Sequence, residues 1–105
     1  MRGVTVELGG QTRTLRMDFN AICDLEQHFG KGISHIFAEE NIGFSTIRAF
    51  YWAALRHESK TLTINNIGDL LQEELANGIS IEQLLGPILT AFKAAGFMSD
   101  TSEKK

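Results

Sequence analysis

Three histidines, one cysteine, two pairs of adjacent glutamates and an Arg56-His57-Glu58 cluster are the residues of this 105-residue chain whose types could do chemistry. A zinc helix needs two histidines one turn apart with a carboxylate to act as base. His28, His35 and His57 are scattered instead, and the first and last fall at the ends of helical patterns, where an imidazole suits the helix dipole without further duty. Cys23 has no neighbouring His or Lys in sequence to hold it as thiolate, and it has no second cysteine with which to form a disulfide or a zinc pair. The glycines form neither a phosphate-binding loop followed by Lys-Ser/Thr nor a dinucleotide fingerprint. Glu39-Glu40 and Glu73-Glu74 are adjacent in sequence and so point in different directions on a helix, as solvated faces do. No catalytic, cofactor-binding or metal residue is therefore assigned, and the reading is non-enzymatic.

Composition narrows the partners. The formal charge of −3 lacks the clustered Lys and Arg from which affinity for nucleic acid is built. A helix-turn-helix would have to use "INNIGDLLQEELANG" as its recognition helix, which offers Asp69, Glu73 and Glu74 to a polyanion. Neither a basic-then-apolar leader nor a stretch of about 18 apolar residues is present, so a soluble, unprocessed cytoplasmic protein with no membrane partner is expected.

The elements that would position these residues can be read from periodicity. Val4, Val6 and Leu8 alternate with Thr5 and Glu7, Gly9-Gly10 supply a hairpin turn, and "TRTLRM" repeats the alternation. From Asp18 the period becomes 3.6: Asp18 caps a helix with the stripe Ala21, Ile22, Leu25 and Phe29, and Gly30 stops it. A short second helix is read from Ile33 to Glu39, a third opened by Ser45 and running to about His57, and a fourth beginning at Thr63 or Asn65 with Ile64, Ile67, Leu71 and Leu75 inward. Ser80 with Gln83 forms a capping box for a fifth, in which Pro87 predicts a kink or two shorter helices. The expected fold class is α+β, mostly α: a two-stranded hairpin packed on a bundle of about five helices. Residues 1–97 form one domain in this reading and 98–105 a flexible tail.

"RAFYWAALRHE", Arg48 to Glu58, is read as the central helix. Projected at 100° per residue, Ile47, Phe50, Tyr51 and Ala54 share one side, Ala49 and Ala53 another, and Arg48, Trp52 and Arg56 a third. Phe50 and Tyr51 are expected in the core. Trp52, one turn from an arginine on either side, is either core or a cation-π sandwich at the surface, and Arg and Trp are the residue types that dominate binding hot spots. Arg48, Trp52 and Arg56 are therefore the candidate partner-binding residues.

"TRTLRMDFNAICDLEQHFG" followed by "GFSTIRAFYWAALRHESKTLTINNIGDLLQ" resembles the small tail assembly proteins of long-tailed phages and gene transfer agents. That family has a strand pair with a "TLR"-like segment, an N-A-[IL]-C-x-L-E helix ending in Gly, and an R-x-[LF]-x-W-A-[AG]-L-R-H helix. The likeness covers about residues 3 to 96. It implies a tail assembly chaperone of a phage or prophage, without cofactors, acting in the cytoplasm of the bacterial host. Its partners would be the tape measure protein and/or the tail tube protein, and its own state stays open between monomer and homo-oligomer. The alternative is a structural minor tail or tail tube component retained in the particle. Lys104-Lys105 also admits a longer form made by frameshifting, as in many such chaperones.

Overall fold

Strand alternation at the N-terminus produces the hairpin in the computed structural model, which describes residues 3–38, 43–58 and 60–96. Strands β1 (Val4–Leu8) and β2 (Gln11–Leu15) pair antiparallel, Val4 opposite Leu15 and Leu8 opposite Gln11. Gly9 and Gly10 have φ of 60° and 76°, the pair of positive values that a two-residue turn matched to strand twist requires. Gly9 has a second reason to lack a side chain: a Cβ there would lie 2.6 Å from Leu70 Cδ2 of a helix beneath. Its N–H donates to the Glu74 carboxylate at 3.3 Å, so the turn is tied to the helix it rests on.

Five helices follow among the described residues: α1 (Phe19–Phe29), α2 (Ile33–Ala38), α3 (Phe44–Leu55), α4 (Ile64–Ala76) and α5 (Ile81–Ala94). The fold is α+β and mostly helical, as periodicity predicts. Asp18 caps α1 by accepting from the Ala21 N–H at 2.9 Å, and Gly30 closes it at φ 71°. Thr63, rather than Asn65, caps α4 in a reciprocal box with Asn66. Ser80 and Gln83 do the same for α5.

Two boundaries differ from expectation. Helix α3 starts at Phe44 after Gly43, which takes the extended N-cap conformation with no side-chain bond, so Ser45 lies in the first turn and is not the cap. Of the kink or split expected at Pro87, the split does not occur, and α5 is continuous through the proline. Leu84, Ile88, Ala91 and Phe92 are buried on both sides of the proline, and this shared packing holds the axis where one backbone bond is missing. The predicted tail and the Lys104-Lys105 pair lie outside the described residues, as do Glu39 and Glu40.

One core joins hairpin and helices. Leu8, Leu15 and Met17 from the hairpin strand ends meet Leu25, Ile67, Ile88 and Phe92 from the helices. Helix α3 runs through the middle, touching α1, α4, α5 and β2. No helix among the described residues is long and apolar enough to cross a membrane.

Candidate partner-binding surface

The composition of α3 dictates what it can show to solvent. Ile47, Ala49, Phe50, Tyr51, Ala53, Ala54 and Leu55 are all buried, with the alanines admitting neighbouring elements at close range. Phe50 is fully buried and meets Phe92 edge-on, ring centroids 5.3 Å apart. Only the stripe of Arg48, Trp52 and Arg56 and the first turn of the helix stay accessible.

The stripe divides. The Arg56 guanidinium carbon stands 5.1 Å from the centroid of the Trp52 ring, a cation-π contact, and its Nη1 pairs with Asp24 of α1 at 3.5 Å. His28 approaches the same indole from the last turn of α1, centroid to centroid 5.8 Å. Trp52 is thus half-buried, its inner part packed on the core and its ring covered by one cation. Arg48 does not complete a sandwich. Its side chain crosses to α4, where a Cβ on Gly68 would lie 3.2 Å from Arg48 Cδ. Arg48 Nε is buried there and has no hydrogen-bond partner among the described residues. No family model, curated protein or solved structure matches the chain.

Two concavities flank the stripe. The first, about 320 Å³, lies where α3, α4 and α5 converge and is lined by Phe44, Ile47, Leu71, Leu75, Ile81 and Leu84 together with Ser45, Arg48, Gly68 and Gln72. Phe44 stands at 68% exposure, a large apolar side chain left in solvent beside an apolar groove. The second, about 420 Å³, lies beyond Arg56 and mixes charges: Arg16, Lys60 and Arg56 against Asp18 and Asp24. Several of those groups are already engaged, Asp18 as a helix cap and Arg56 with Asp24.

The Arg56-His57-Glu58 cluster separates in the same way. His57 Nε2 donates to the Thr14 carbonyl at 2.8 Å, and the Glu58 carboxylate accepts the Thr14 N–H at 2.7 Å. The Arg16 N–H donates to the Ala54 carbonyl at 2.9 Å. Together these satisfy the outward N–H and C=O of Thr14 on β2 and the N–H of Arg16 just past the strand, backbone groups that would otherwise stand unpaired. The three side chains therefore face different partners and share no reaction centre. Among the described residues, no group of three His, Cys, Asp or Glu is placed to hold a metal ion.

Sequence reasoning missed the groove. Its signal was Gly68, a lone glycine inside a helical pattern, which usually marks close packing. It placed Tyr51 in the core correctly but missed the partner of its hydroxyl, which donates to the Leu84 carbonyl. Burial pushes that phenol well above the ordinary tyrosine range, and the Glu74 carboxylate adds in the same direction.

Proposed function

We propose that this protein is a non-enzymatic tail assembly chaperone of a phage or prophage, binding the tape measure protein and/or the tail tube protein during tail morphogenesis. The observation that supports it is the use of α3. The R-A-F-Y-W-A-A-L-R-H segment on which the family resemblance rests commits its other faces to core and leaves Arg48, Trp52 and Arg56 at two adjoining surfaces. A half-buried tryptophan beside a cation, next to an apolar groove, has the composition of a helix-binding surface. The two-stranded hairpin, with Thr14 on one edge already paired to residues that follow α3, favours this role over a tube component, which would need sheet to build stacked rings.

The test is co-expression with the tape measure and tube proteins that this reading expects in neighbouring genes, followed by affinity purification and by composition analysis of finished particles. Co-purification with either protein together with absence from particles is the expected outcome. Stoichiometric presence in particles would establish the structural alternative, and co-purification with neither would remove the tail reading.

A further inference from the structure

We infer that the groove between α3 and α4 docks an amphipathic helix of a partner protein that carries a carboxylate beside its aliphatic side chains, with Arg48 as the receiving cation. The groove itself is derived from geometry; only the identity of the partner rests on the tail assembly reading.

The wall chemistry sets the occupant. Gly68, Leu71 and Leu75 follow one another along α4 at helical spacing, and seven residues at about 1.5 Å each give a floor about 10 Å long, two turns of a docked helix. Phe44 forms the exposed rim on α3 and Leu84 the closed end on α5. All these walls are helical, with backbone bonds satisfied internally. An extended peptide laid here would find no strand edge and would leave its own N–H and C=O groups unpaired against apolar side chains, whereas a helix brings its backbone already paired. A volume of about 320 Å³ suits a few inserted side chains. It lies at the bottom of the range of about 300 to 1,000 Å³ that encloses whole small ligands.

The charge sets the rest. Among the described residues that line the groove, Arg48 alone is charged, so the local charge favours an acidic group. Its Nε is buried with no hydrogen-bond partner among the described residues, which leaves the guanidinium under-satisfied, and a carboxylate seated in the groove would accept from the Nη groups of the same guanidinium. Gly68 makes the arrangement possible, because its missing side chain lets the arginine lie across α4.

The probes are two stapled helical peptides with the same three leucines at i, i+4 and i+7, one carrying Glu and the other Gln at the flanking position. Each is titrated into the full isotope-labelled chain and followed by amide shifts. The Glu peptide should shift Gly68, Leu71 and Leu75 and bind at least tenfold more tightly than the Gln peptide. Arg48→Gln should erase that preference and leave the Gln peptide within twofold. Gly68→Ala, whose Cβ would press on Arg48 Cδ at 3.2 Å while leaving the apolar wall residues in place, should lower the preference in the same direction, and thermal melts of both variants establish that they are folded. Equal affinity for the two peptides, shifts confined to Trp52 and Arg56, or no binding would overturn the inference. So would self-association of the chain that Leu75→Gln abolishes, since the occupant would then be a second copy. Failure of the tail reading looks different: the Glu peptide binds and the tape measure protein does not co-purify. If instead that protein co-purifies equally with Arg48→Gln and Leu75→Gln, the tail reading stands and the groove is not its site.

Discussion

Phe50, Tyr51 and Trp52 are consecutive aromatics with three different fates. Phe50 is enclosed by core, so Phe50→Ala should cost about 3 to 5 kcal/mol of stability. Trp52 is half-buried under Arg56, and Trp52→Ala should cost about 1 to 2 kcal/mol while lowering partner recovery in co-purification by about tenfold or more. Denaturant midpoints of the two variants, measured beside that recovery, test the pair; an equal loss of stability would make Trp52 a core residue. Tyr51 carries a pH prediction. Its phenol is raised in the folded state by burial first and Glu74 second, so below about pH 10 the hydroxyl is neutral whether the chain is folded or not, and stability is unaffected. Above that, the unfolded tyrosine ionises and the folded one does not. Stability should therefore fall by about 1.4 kcal/mol per pH unit as pH rises past about 10. Tyr51→Phe should lose about 1 kcal/mol at neutral pH through the missing bond to Leu84, and its contribution to this alkaline slope should vanish. Tyr51 is the only tyrosine, so phenolate absorbance reports the same event directly.

Among the elements, the hairpin shows how a marginal unit is held. Its turn sits on α4, and Thr14 on its outer edge is paired to residues that follow α3. Gly10→Ala meets no atom within 4 Å and should cost about 1 to 2 kcal/mol, the ordinary penalty of a left-handed backbone. Gly9→Ala also crowds the Leu70 methyl, but Leu70 is half-exposed and can turn away, so its cost should exceed that of Gly10→Ala by less than about 1 kcal/mol, which paired denaturation curves would reveal. Glu58→Ala removes the acceptor of the Thr14 N–H, and that amide should exchange with solvent faster while amides in α5 do not change. Capping was readable in advance for α1 and α5 because Asp18, Gly30, Ser80 and Gln83 act within three residues or through their own backbone. The continuity of α5 was not, since it depends on a core that Leu84 and Ile88 share with residues far away in sequence.

For the whole molecule, the hairpin and the bundle share one core. Leu8, Leu15 and Met17 are buried in the same core as α3 and α5. Removing residues 1–16 should leave helices that melt broadly, without a cooperative transition by circular dichroism; a sharp transition in the truncated chain would show that the bundle folds alone. The sequence by itself determined the order of elements, the inward stripes, the caps of α1 and α5 and the central position of α3, because those follow from side-chain periodicity and from bonds between near neighbours. It also marked Arg48, Trp52 and Arg56 as one face. Only the tertiary structure decided that this face divides, with Arg56 on Trp52 and Arg48 drawn across Gly68, and that His57 and Glu58 serve the edge of a strand more than 40 residues away. A helical projection fixes where a side chain leaves the backbone. Where a long flexible arginine ends, and which backbone groups need a partner, depends on the neighbours that folding brings beside it.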